Sequence, residues 1–245
     1  HWNAQSEYGV ALGRQLSGRG HKVVYCGMDR GKSIPYAEEW GLDTIPLRCT
    51  TMSFFKDIRT LQQILGDHVD IVNVFGAWSQ NIAIAALRKQ ARTRLVRTRV
   101  FIHPVKGDPI QRRIYHKYIS LVVVSNESTR KEIISRLRFP EERVHCIHGG
   151  IDHHRFHPGI SGVLFREKLG IGSVPFVGII ARRSPVKGHR YFLEAAGIVK
   201  GRFPEVRFLA VGIDDSVSLE DLMAMADTAG IQRETIFLGY QQNIQ

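Results

Sequence analysis

Cysteine is scarce in this sequence. Its 245 residues hold Cys26, Cys49 and Cys146, with no CxxC pair. That spacing excludes a disulfide framework and a thiolate zinc site, and it fits a reducing compartment. Long apolar runs are missing as well, and none approaches the roughly 20 residues that a membrane span requires. No signal-peptide pattern is visible in these residues, which open on His1 rather than a methionine. Internal repeats and low-complexity tracts are absent. The last scarcity is local: between 88 and 117 stand ten Lys or Arg against one acid, Asp108.

Against these absences, the chain is 43% hydrophobic, enough at this length for a sizeable core in one or two domains. Its net charge of +11 is unevenly placed. Residues 1–150 hold 23 Lys and Arg against 13 Asp and Glu, a net +10, whereas 151–245 hold 11 against 10. A basic block of this kind points to a polyanionic partner: an anionic membrane face, a phosphorylated glycan or a nucleic acid. Nucleic acid is the least supported of these, because the block lacks aromatic stacking platforms or a known reading motif.

Apolar and polar residues alternate between strand and helix patterns along the whole chain. Helical stretches are expected at Ala4–Leu16, Pro35–Trp40, Phe54–Leu65, Asn81–Gln90, Ile110–Tyr118 and Glu127–Leu137. Strands are expected at His21–Tyr25, Thr44–Leu47, Asp70–Phe75, Arg94–Ile102, Leu121–Ser125 and Val144–Ile147. The polar stretch IDHHRFHPG (151–159) reads as a linker. Beyond it the rhythm resumes with helices at Ser161–Leu169, Lys187–Lys200 and Leu219–Ala229, and strands at Val174–Ile180, Val206–Val211 and Thr235–Leu238. Such alternation predicts an α/β fold with mainly parallel sheets in two doubly wound domains, 1–152 and 153–245. Five histidines, His145, His148, His153, His154 and His157, straddle a strand end and the linker. They lack the converging spacing of a zinc site, so no metal is expected.

The most informative stretch is VPFVGIIARRSPVKGHR (174–190). An apolar run to Ala181 has the length of a strand buried on both faces. Arg182 and Arg183 follow it, Ser184-Pro185 turns the chain, and Lys187-Gly188 opens a helical pattern. Ligands of open α/β sheets bind beyond the carboxyl ends of strands. A guanidinium and an ammonium held there, beside a helix N-terminus, suit a diphosphate. A surface basic turn is the alternative. On the strand of 94–102, Arg97 and Arg99 alternate onto one face, where they suit an anionic acceptor or form a solvent-facing basic strand edge.

These pieces together resemble the family-4 retaining glycosyltransferases, which have two Rossmann-like domains in the GT-B arrangement. EYGVALGRQLSGRGHKVV is similar to that family's opening helix and strand. VVVSNESTRKEI is similar to the strand and helix before the interdomain hinge, and RVHCIHGGIDHHRFHPG to the hinge. FVGIIARRSPVKG resembles the donor-phosphate motif, an Arg and a Lys five apart, and FLAVG and IFLGY the later donor-domain strands.

The resemblance implies a glycosyltransferase of hexosyl or heptosyl type. It would move a sugar from a nucleotide-diphosphate sugar to a glycan or lipid-linked acceptor such as lipopolysaccharide core. No metal cofactor is implied: Arg182 and Lys187 would hold the diphosphate, with Arg183 as the competing register. The family's glycine pair before the first helix is replaced here by Asn3-Ala4-Gln5-Ser6, so Gln5 and Ser6 become the candidate donor contacts, with Ser6 equally suited to capping the helix. His103, after the fourth strand of the first domain, is the candidate catalytic residue near the reacting sugar. By the same comparison a first strand would precede His1 and an acidic E-x7-E motif would follow Gln245, so the chain reads as a fragment. The implied setting is cytoplasmic, peripheral at the inner membrane. Two other readings stay open: a sugar-nucleotide epimerase or phosphorylase of the same architecture, and a non-enzymatic polyanion or membrane-binding module.

Overall fold

A computed structural model describes residues 4–66, 68–90, 92–100, 104–213 and 216–241. The chain divides into two compact units, His1–Gly150 and Ile151–Gln245.

The first unit alternates helices and strands. Its helices are α1 (Ala4–Ser17), α2 (Ser33–Glu39), α3 (Phe54–Leu65), α4 (Ala77–Ala86), α5 (Pro109–Tyr118) and α6 (Glu127–Leu137). Its strands are β1 (Val24–Met28), β2 (Asp43–Leu47), β3 (Ile71–Val74), β4 (Arg94–Arg99), β5 (Leu121–Val124) and β6 (Val144–Cys146). Among the described residues β3–β4–β5–β6 form one sheet and β1–β2 a separate pair, and every pairing is parallel. Consecutive parallel strands with helical crossovers put all strand carboxyl ends of a sheet at one edge. The core lies where Val122, Val124, Ile133, Leu137 and Phe139 meet. Each fully buried side chain of this kind contributes about 1.5–3 kcal/mol.

Local chemistry sets the element ends. Asn126 caps α6 by accepting from the Thr129 amide at 2.8 Å. α3 is anchored by buried Asp57, which accepts from the Arg48 amide (3.1 Å), the Cys49 amide (2.9 Å) and the Ser53 hydroxyl (2.9 Å). α4 begins four residues earlier than the apolar pattern indicates. Gly76 caps it in an extended conformation, and its amide donates to Ser79 Oγ at 3.1 Å.

Asp57 also acts on its neighbour. Burial pushes the Cys49 thiol up to about 11, and the charges of Asp57 and Asp29 add to the shift. Only the thiolate reacts with alkylating agents, so at pH 8 about one Cys49 in a thousand is reactive. Site-resolved mass spectrometry should find Cys49 nearly inert to iodoacetamide at pH 8, its rate rising about tenfold per pH unit towards 11. Asp57→Asn, which removes one repelling charge, should raise the rate at fixed pH.

The second unit carries β7 (Phe176–Ile180), β8 (Arg207–Val211) and β9 (Thr235–Leu238) as a parallel sheet in that order, with α7 (Val163–Leu169), α8 (His189–Arg202) and α9 (Leu219–Thr228). Leu193, Phe208, Leu222 and Ile231 form its core. Ser218 and Asp221 close a capping box on α9. One expectation is corrected here. β7 is not buried on both faces: Val177 is 48% and Ile180 57% exposed. Among the described residues β7 pairs with β8 alone and stands at the edge of the sheet, where less of the unit covers its faces. The strand buried on both faces is the next one, β8, with Phe208 through Val211 all buried.

Candidate functional site

The loop between β7 and α8 leaves the carboxyl end of its strand under tight backbone control. The Ala181 amide donates to the Val211 carbonyl at 2.9 Å, and the Arg183 amide to that of Ile213 at 2.9 Å. The Arg183 carbonyl accepts from the amides of Ser216 and Val217 at 3.2 and 3.1 Å. This pinning turns the Arg183 side chain inward, where it is 7% exposed, and leaves Arg182 exposed.

A single 3-10 turn, Pro185–Lys187, follows, closed by the Gly188 amide on the Pro185 carbonyl at 3.2 Å. Gly188 adopts φ 78°, a left-handed conformation that glycine enters without strain, and it caps the 14-residue α8. Lys187 projects from the turn and is exposed. The structure thus brings Arg182 and Lys187 onto one short loop at the start of a long helix. Helix N-termini carry the equivalent of about half a positive charge, and two flexible cations add to it.

Beneath the loop lie two groups that sequence reasoning missed, Ser184 and His189, 6% and 4% exposed. Burial lowers the pKa of His189, and the charge of Arg183 lowers it further, while the carbonyls of Ala181 and Ser184 act in the opposite sense. Burial therefore disfavours the charged imidazolium beneath the cationic loop. The signal in the sequence was Gly188: a left-handed residue there redirects the chain, so that the first helical side chain points inward.

In the first unit, α1 starts at Ala4, so Gln5 and Ser6 sit in its first turn and Ser6 is not its cap. A Cβ on Gly76 would lie 3.5 Å from Gln5 Nε2, which places that amide beside the end of β3 and the start of α4. Ser6 hydrogen-bonds Tyr25 at the start of β1, opposing the rise that burial imposes on the Tyr25 phenol.

Arg97 and Arg99 lie on β4 between β3 and β5, not on a strand edge. Arg97 is 5% exposed. Its Nη1 donates to the Val74 carbonyl at 3.3 Å, and its Nε has no hydrogen-bond partner among the described residues. Burial lowers its pKa; Tyr115 opposes the shift and Arg99 adds to it. Arg99, half-buried, is the last residue of β4 and stands at the carboxyl edge of the sheet. His103 lies outside the described residues. Among the described residues no group of three or more His, Cys, Asp or Glu is placed to hold a metal ion.

Set beside known proteins, residues 5–155 match the model of Glycosyltransferase Family 4, and residues 164–245 that of Glycosyl transferases group 1. No curated protein matches by sequence. Solved structures do match. A glycosyltransferase from Rickettsia africae ESF-5 superimposes with a TM-score of 0.79 at 17% identity, covering 98% of this chain and 65% of its own. Anabaena Alr3699/HepE in complex with UDP-glucose gives 0.74 at 17% identity, covering 100% and 67%. WaaG, a glycosyltransferase involved in lipopolysaccharide biosynthesis, gives 0.56 at 14% identity, covering 100% and 68%. The chain therefore spans about two thirds of the length of these structures. At such identities the likeness concerns the fold, two Rossmann-like α/β units of the GT-B class.

Proposed function

Starting from a chain that belongs to Glycosyltransferase Family 4, we propose that this protein moves a sugar from a nucleotide-diphosphate donor to a glycan or lipid-linked acceptor, with retention at the anomeric carbon. The observation that carries the reading is the pair of exposed cations, Arg182 and Lys187, on the loop that Gly188 joins to α8. As the glycosidic bond to the donor breaks, negative charge grows on the departing diphosphate. Fixed cations whose contact strengthens in that transition state lower the barrier. In this reading Arg182 and Lys187 do so without a metal ion.

The nucleotide is proposed to be uridine diphosphate, supported by the fold shared with Alr3699/HepE, which was crystallised with UDP-glucose. Gln5 would contact the donor from the first turn of α1. Arg99, at the end of β4, would meet anionic groups of the acceptor, with Arg97 buried behind it, and His103 would act near the reacting sugar. An acceptor of the lipopolysaccharide-core type is supported by the likeness to WaaG and by the basic block of 88–117. That block also supports a cytoplasmic protein held peripherally at an anionic inner-membrane surface.

The test is donor-dependent transfer. Incubated with UDP-[14C]glucose and a lipopolysaccharide-core acceptor, the protein should yield a labelled glycan of the same anomeric configuration as the donor. An inverted product would refute retention. A labelled free sugar phosphate or an epimerised nucleotide sugar would replace the transferase reading with the phosphorylase or epimerase one.

A further inference from the structure

The first unit has a second cationic feature, at the other end of its sheet. An open depression of about 490 Å³ lies at the amino ends of β4 and β5. Arg88, Arg94 and Lys117 line it, with Tyr118 beside them and Leu87 and Leu95 among its apolar lining. Among the described residues no carboxylate lines it. Lys117 Nζ stands 5.0 Å from the Tyr118 ring centroid. A hydrogen bond from Lys117 lowers the pKa of the Tyr118 phenol, and the charges of Lys117 and Arg88 lower it further.

Part of this charge has a local explanation. α5 ends at Tyr118, and the short turn Leu87–Lys89 that continues α4 also ends here. A cation at each helix C-terminus is ordinary dipole complementation. Arg94 is not covered by that account, since it opens a strand. Three like charges lining one depression, with no acid among its described lining residues, repel one another, and an anion set among them relieves the repulsion. Arg donors in a planar fork favour phosphate oxygens, and the apolar lining favours an ester over a bare ion. The site is also separate from the carboxyl edge of the sheet. Arg94 and Arg99 are the two ends of β4, roughly 16 Å apart at the rise of an extended strand.

We propose that the depression formed by Arg88, Arg94 and Lys117 binds a phosphate ester, either a soluble one or the headgroup of a phospholipid, at a site distinct from that of the donor and acceptor. The three cations belong to the basic block of 88–117, so the headgroup arm deepens the membrane-surface reading proposed above, whereas none of Arg182, Lys187, Gln5 and Arg99 takes part.

The probes are sn-glycerol 3-phosphate, by calorimetry at ionic strength matched with chloride, and sedimentation with phosphatidylcholine vesicles containing phosphatidic acid. The test variant is Arg94→Gln with Lys117→Gln. Both side chains are exposed, so circular dichroism and thermal unfolding should be unchanged. Wild type should bind at least one probe more tightly than the chloride-matched or pure phosphatidylcholine control. The double variant should bind it roughly a hundredfold more weakly, about tenfold per charge-assisted contact removed, while its UDP affinity stays as in wild type. Loss confined to glycerol phosphate assigns a soluble ester, and loss on vesicles assigns a headgroup. Failure of wild type to bind either probe above its control, or equal binding by the variant, overturns the proposal.

Discussion

Arg182→Ala and Lys187→Ala should each slow sugar transfer by about a hundred- to a thousandfold, the range seen when one donor to a developing charge is removed. The loss should fall mainly on kcat, because the contact strengthens as the diphosphate departs. Stability should change little in either variant, since both side chains are exposed. Arg183→Ala supplies the contrast. Its side chain is 7% exposed beneath the loop, so its removal should lower the unfolding midpoint together with activity. If instead Arg183→Ala abolished transfer with stability intact while Arg182→Ala did nothing, the register would be reversed and Arg183 would be the phosphate ligand.

Gly212→Ala should be the most damaging single methyl in the second unit. An alanine Cβ there would come within 1.8 Å of the Ala181 carbonyl oxygen and 2.8 Å of the carbonyl carbon. Both are backbone atoms at the point where β7 leaves its ladder, fixed by the 2.9 Å bond from the Ala181 amide to Val211. Relief requires the end of β7 to move, at a cost of about 3 kcal/mol or more. Arg182 would move with it, so donor affinity should drop too. Gly201→Ala is the control: near the end of α8, with nothing within 4 Å of its Cβ, it should stabilise by roughly 0.5–1 kcal/mol. Urea unfolding of the two variants should therefore shift in opposite directions.

Much of this arrangement was legible in the residues, unevenly and for physical reasons. α3 and α6 fall where the pattern puts them because their amphipathic faces are bounded by residues with a clear stopping or capping role, Gly66 and Asn126. The start of α4 was hidden because its cap is Gly76, which looks like loop until Ser79 is seen bonding back to it. The placing of Arg182 and Lys187 on the loop after β7 could be read because charge directly after an apolar run of strand length marks the end of a strand. The edge position of β7 could not, since such a run says nothing about its neighbours. Neither could the burial of Arg97: a charged residue in alternation reads as solvent-facing, and only the packing of Tyr115 and the Val74 carbonyl around it shows otherwise. The cationic depression depends on the end of α5 meeting the start of β4, a tertiary juxtaposition of residues more than twenty positions apart. The basic block announced its charge but not its shape.

The claim on which the rest depends is that two cations at the end of β7 hold a diphosphate unaided by metal. Calorimetric titration of the protein with UDP in excess EDTA tests it directly. The account predicts binding that survives the chelator in wild type and weakens at least tenfold in Lys187→Ala. UDP affinity that vanishes in EDTA and returns with magnesium, or that is equal in wild type and variant, would contradict it.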